Sequence, residues 1–376
     1  MAGPDTSRHP AAEAGVFLGT FALIFLAMGA LFGFDVFLAS LERAERRNEA
    51  RSLYEEAMSL EARRHGPQAV DRLQAAVATE RGNPVYQRAL AAALLGTGRV
   101  AEARAVVAAR LEHEPTDGAA SLLMARALVR EGRPREAVSY YHRAIYGQWD
   151  DQAGDHPVQA RFELVDLLAR LGARRELLAE LLPLQDEAPD DQTTRKRIAK
   201  LFLEAGAPAR AIEIFRGLLR EHGRDAETYA GLGEAEIARG NYLSARADFA
   251  AAAGLDPADT AVADRLTLVR RVIALDPTQR GLSGEEQYRR SVALLDITYR
   301  SAADCIGSAA LTSNGPLLDS ARVAIATRAP IAGRPEAIDA NLDLAERLWT
   351  LRRRACPAAL AEAEEPVPLV LERISQ

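Results

Sequence analysis

The residues most able to do chemistry are scattered. The histidines are His9, His65, His113, His142, His156 and His222, and no two stand at a metal-ligand spacing. There is no HExxH, no CxxC, no Walker loop and no GxGxxG. The run Gly281-Leu282-Ser283-Gly284 begins like a nucleophile elbow. Glu285 takes the last glycine position, however, and no strand pattern precedes it. Carboxylates are abundant, but they lie on amphipathic faces where such groups are usually solvated. No catalytic residue, cofactor or metal is expected from this inventory, and the chain reads as a non-enzyme.

The two cysteines, Cys305 and Cys356, are confined to one C-terminal region. They could form a disulfide or remain two buried thiols. Closing a loop of about 50 residues would contribute roughly 4 kcal/mol in the chain-entropy description. That bond requires an oxidising compartment.

What must position such groups begins with the N-terminus. Ala14 to Phe34 carries no charge. Gly15 to Phe34 is twenty residues, which at about 1.5 Å each span roughly 30 Å, the thickness of a hydrocarbon core. A transmembrane helix over 15–39 is expected, after a tail over 1–14 and before a charged helix over 40–49. A cleaved signal peptide is the alternative, with a shorter apolar core and a more basic start. Arg43, Arg46, Arg47 and Arg51 follow the segment while Arg8 alone precedes it, which would put the body in the cytoplasm. Those arginines alternate with Glu42, Glu45 and Glu49, which dilutes the signal, and the cysteines argue for the opposite side. The reading leans to a periplasmic body on a bacterial inner membrane, with the cytoplasm left open. Bacterial origin is suggested by base composition, since Lys196 and Lys200 are the only lysines. Gly29 and Gly33 have a spacing that would let two helices approach, so a homodimer is conceivable.

The rest of the chain repeats itself. Gly98, Gly132, Gly172, Gly206 and Gly240 are 34, 40, 34 and 34 residues apart. Five residues after each stand Ala103, Ala137, Leu177, Ala211 and Ala245; seven before stand Ala91, Ala125, Val165, Ala199 and Gly233. Pro115, Pro189 and Pro257 fall late in their units. The pattern predicts paired amphipathic helices. Glycine is the left-handed stop after the first helix. Small residues let the axes close up, and Tyr141, Leu181, Phe215 and Phe249 fill between successive units.

These residues resemble the tetratricopeptide repeat. The best unit, 226–259, has Tyr229, Leu232, Gly233, Ala245, Phe249, Ala252 and Pro257 at the family's positions. Six units are expected: 50–83, 84–117, 118–151, 158–191, 192–225 and 226–259. The first is irregular, since its Gly66 falls late. The resemblance implies an all-α fold, a right-handed solenoid of about six helix-turn-helix repeats. It also implies a concave groove for a protein or peptide partner, lined by the first helix of each unit. Candidates there are Arg88, Arg126, Arg130, Phe162, Asp166, Arg170, Lys196 and Lys200, either as a basic stripe for acidic segments or as a solvated face. With a net charge of -6, nucleic acid is disfavoured.

Two regions break the pattern. Between units three and four, Tyr140, Tyr141, Tyr146 and Trp149 cluster in ten residues. Tyr146 and Trp149 either anchor a partner or plug the space left by an overlong turn. After the last repeat, Ala261–Leu275 reads as a capping helix over 260–277. Residues 278–376 read as a small helical region. Ser283 and Glu286 form a capping box there, 308–316 is a loop, and helices follow near 317–328, 336–355 and 366–374. The expected function is a membrane-anchored scaffold that binds other proteins. The alternatives are a secreted periplasmic repeat protein, or an enzyme or regulator acting through the C-terminal region.

Overall fold

The computed structural model describes residues 10–149, 154–305, 308–327, 335–356, 360 and 364–375, without the side chains of 10–25, 27 and 308–314. The tail before Pro10 and the side chains of about half of the expected membrane span lie outside the described residues. Among the described residues, no helix is long and apolar enough to cross a membrane.

The elements are helices throughout. Unit one pairs α1 (Pro10–Ala62) with α2 (Gly66–Thr79); then come α3 (Pro84–Gly96) with α4 (Val100–His113), and α5 (Gly118–Arg130) with α6 (Pro134–Tyr146). Next are α7 (His156–Arg170) with α8 (Arg174–Glu187), α9 (Gln192–Glu204) with α10 (Pro208–His222), and α11 (Ala226–Ala238) with α12 (Tyr242–Leu255). The C-terminal helices are α13 (Thr260–Leu275), α14 (Gly284–Cys305), α15 (Ser308–Ala326), α16 (Pro335–Ala355) and α17 (Pro366–Ile374). The chain divides into two compact units, Met1–Leu164 and Val165–Gln376.

Local chemistry sets the period twice per repeat. At the start of first helices, Asn83, Asp117, Asp191, Asp225 and Asp259 accept from backbone N–H groups two or three residues on. Each satisfies a donor the helix leaves unpaired. At the end, Gly98, Gly132, Gly172, Gly206 and Gly240 take φ of 79°, 75°, 65°, 77° and 72°. The next residue's N–H then returns to a carbonyl five residues back, as Arg99 does to Leu94 at 2.9 Å. Unit one closes the same way with a residue poorly suited to it. Arg64 holds φ 62° while His65 N–H reaches Leu60 O at 2.9 Å.

Where helices cross, Ala91, Ala125, Ala199, Ala211 and Ala245 are fully buried. A Cβ on Gly233 would lie 2.8 Å from the Phe249 ring, and one on Gly231 would lie 2.5 Å from Phe215. Phe202, Phe215 and Phe249 are completely enclosed, each stabilising by roughly 2–3 kcal/mol.

In the second compact unit the last repeat and the C-terminal helices share one core. It runs from Ile237 and Tyr242 through Val269 and Leu294 to Leu348, Trp349 and Val370. The region is therefore an extended cap. The Tyr242 hydroxyl donates to Leu369 O at 2.8 Å, and Arg373 donates to Gly240 O at 3.2 Å. Ser283 Oγ accepts from Glu286 N–H at 3.2 Å. Cys305 and Cys356 are joined, with Cα atoms 6.0 Å apart. One sequence reading needs correction. Residues 308–316 form the start of α15 despite their Ser, Gly and Thr content. The same helix buries Leu318 and Ala321 further along, and once formed a helix extends at little cost.

Candidate functional site

The first-helix face of the first compact unit holds an open cleft of about 390 Å³. Its floor is small and apolar, from Val85, Ala89, Ala92 and Ala119, with Leu122 and Leu123 below. Tyr54 stands at one side, its ring 5.2 Å from that of Tyr86. Arg88 and Arg126 contribute guanidinium groups, and Trp149, His156 and Gln159 form the far wall.

The wall comes from the irregular segment after α6. Gly147-Gln148-Trp149 runs alongside the turn before α5. Gln148 N–H donates to Thr116 O at 2.7 Å and Gly118 N–H to Gln148 O at 2.8 Å, a parallel bridge between Asp117 and Gln148. The indole fits only because residue 118 has no side chain. A Cβ there would lie 2.5 Å from Trp149 Nε1. That nitrogen donates to Ala144 O at 2.7 Å, and the His156 ring stacks on the indole at 5.1 Å and 18°. The two roles weighed for this segment separate. Trp149 is half-buried and fixed, while Tyr146 is 71% exposed and fills no gap.

The charged candidates are mostly committed to each other. Arg126 makes a two-pronged contact with Glu163, Nη2–Oε1 2.6 Å and Nε–Oε2 3.0 Å. That hydrogen bonding raises the Arg126 pKa above its ordinary value. Arg88 faces the buried Asp117 at 3.5 Å, and Arg110 holds the other Asp117 oxygen at 2.9 Å. In the second compact unit Asp166 pairs with Arg197 at 2.5 Å. Lys196, only 12% exposed, reaches Asp225 at 2.7 Å and Glu227 at 2.9 Å. Lys200 reaches Glu227 at 2.7 Å, and these two lysines hold the Glu227 carboxyl below its usual range. Arg265 forks onto Glu234. Apart from Arg110, which reaches Asp117 from α4, the cations and acids lie on successive first helices, their N-caps or α13. The expected basic stripe is thus largely neutralised from within, because acids and cations recur about 30 residues apart, in either order. Arg130 and Arg170 lie exposed in the last turns of α5 and α7, and Phe162 is half-buried. The structure brings Arg88 and Arg126 together at the cleft and leaves the other candidates outside it. Ala89, Ala92, Trp149 and His156 were not among the expected groove residues. The signal for Trp149 was its place just before the break in period, opposite a glycine at position 118.

Among the described residues no cluster of His, Cys, Asp and Glu is arranged to hold a metal ion.

Residues 60–127 match the family model described as tetratricopeptide repeat, a stretch that ends within α5 beneath the cleft. No curated protein matches the chain. Similar solved structures include YrrB, described as a TPR protein with an unusual peptide-binding site, at 15% identity and TM-score 0.42 over 51% of this chain and 95% of that one. PilW, described as a widely conserved type IV pilus biogenesis factor, is 18% identical with TM-score 0.42 over 59% of this chain and 98% of its own. A tetratricopeptide repeat protein from Parabacteroides merdae is 17% identical with TM-score 0.28, covering 59% and 99%.

Proposed function

We propose that the chain is a non-catalytic, membrane-anchored scaffold that holds an extended segment of a protein partner in the cleft beside Trp149. The observation that supports it is the fixed indole lining one cleft with alanines and two guanidinium groups. Aromatic residues with little freedom left to lose make efficient anchors. The floor takes an apolar side chain, and the ion-paired Arg88 and Arg126 border it. Anchoring is supported by α1, where Leu26, Leu31 and Phe32 are 75%, 69% and 72% exposed and Phe34, Phe37 and Leu41 are also bare. Such a continuous apolar surface is costly in water. The Cys305–Cys356 bond favours an extracytoplasmic body.

The test is a photocrosslinker placed at Ala92 of the full chain in its own membranes, with Leu243, exposed on α12, as the comparison site. Capture at Ala92 that disappears in Trp149→Ala, with unchanged helical circular dichroism, supports the reading. Equal capture from both positions, or indifference to Trp149→Ala, removes the cleft as the binding site. Extraction of the full chain by carbonate wash would remove the anchor.

A further inference from the structure

We propose that Arg43, Arg46 and Arg47 form a clamp for the headgroup of an anionic phospholipid at the base of the repeat array. The proposal rests on the anchor reading above and adds a specific lipid contact to it. The three arginines stand at positions i, i+3 and i+4 of α1, so they share one face. That face is the one that buries Ala50 and Ala57 one to three turns later, where α2 packs against α1. Beyond the end of α2 the same face is built of guanidinium groups. With Thr79 and Glu80 they line an open cleft of about 330 Å³.

The side chains aim the right way. Arg43 Nε donates to Ala39 O at 2.9 Å, Arg46 Nε to Glu42 O at 3.4 Å and Arg47 Nε to Arg43 O at 3.3 Å. Each arginine therefore lies back along α1 by one turn, toward its exposed apolar half. Counted from residue 39, the three Cα atoms lie roughly 6–12 Å further along the axis at 1.5 Å per residue, and one turn back is about 5.4 Å. That places the guanidinium groups in the headgroup layer, which is roughly 5–8 Å thick on each side. Guanidinium matches phosphate oxygens two at a time. The acids nearby are partly occupied. Glu42 faces Arg46 at 3.4 Å, and Glu80 accepts from Asn83 at 3.2 Å.

The test uses the full chain in detergent, titrated with phosphatidylglycerol or phosphatidylcholine and read by native mass spectrometry. Phosphatidylglycerol should be retained in preference, and the combined R43Q, R46Q and R47Q variant should lose it by roughly a hundredfold, given about fivefold per basic residue near an anionic surface. Arg51→Gln, further along the same helix and not part of the cleft lining, should retain it. Equal retention of the two lipids, or an unaffected triple variant, overturns the proposal. So does displacement of the lipid by inorganic phosphate at equal concentration, which would make this a free-phosphate site. The anchor is judged separately: if it holds, both wild type and triple variant stay in carbonate-washed membranes. Wild type lost to the wash with lipid preference intact sinks the anchor alone.

Discussion

The first-helix face is built from the same repeat in both compact units, yet it is finished differently. In the first, α3 and α5 present alanines to solvent, and the ion pairs of Arg88 and Arg126 stand at the edges of an open floor. In the second, Lys196 and Lys200 reach across to Asp225 and Glu227, and Arg265 to Glu234, so the cations of α9 and α13 are tied to α11. Small side chains make a face that receives, and long paired ones make a face that braces. A tryptophan opposite Gly118 turns the first into a cleft. Phenylalanines opposite Gly231 and Gly233 only fill the second.

The sharpest way to break this contrast is to give the glycines side chains. Gly233→Val drives a methyl into the Phe249 ring, an overpacked core that should cost about 3 kcal/mol and lower the melting temperature by several degrees. Gly118→Val should cost less, about 1–2 kcal/mol, because the indole can swing outward, but it should abolish partner capture at Ala92. A stable variant that still captures would show that Trp149 is dispensable. A third, smaller effect concerns the charges of the bracing side. Burial, and then the neighbouring Glu236 carboxylate, push Asp248 up to about 6 from its ordinary 3.8, against the lowering pull of Arg216. The folded chain keeps a proton there that the unfolded chain has released. Stability therefore falls as pH rises from about 4 to about 6 and levels off above. Asp248→Asn should stabilise by about 1 kcal/mol at pH 7.5, allowing for solvent screening of this half-buried group, with no gain at pH 4. Denaturant titrations at the two pH values read it. Smallest is Arg64→Gly, which relieves the positive φ of the first turn and should add roughly 0.5–1 kcal/mol; an unchanged urea midpoint would show that the turn is unstrained.

What could be read from the sequence tracks how local the cause is. Gly98 and its successors declare their turns because left-handed backbone is chosen within a few residues. The Asp117, Asp191, Asp225 and Asp259 caps follow the same rule, at positions that a search for capping residues would have reached. The groove candidates were legible only as positions. Whether Lys196 is free or bound depends on Glu227, one repeat away, and nothing within α9 reveals it. The Trp149 seat required knowing that residue 148 would pair with residue 116. The C-terminal cap was the least readable part. Its helices meet across long separations, Tyr242 with Leu369 and Ser291 with Asn341 at 3.0 Å, and no period marks such partners. Residues 308–316 show the cost, since composition suggested a loop and the chain there is helical.

The first helix carries one further implication. α1 is unbroken over 53 residues, so Phe32 on its bare half and Tyr54 at the cleft are two marks on one screw thread. Winding at roughly 100° and 1.5 Å per residue separates them by about 33 Å and leaves them about 40° apart in azimuth. One residue inserted after Asn48 would spin the cleft by about a quarter turn relative to the bare half, and seven would restore its heading at a greater height.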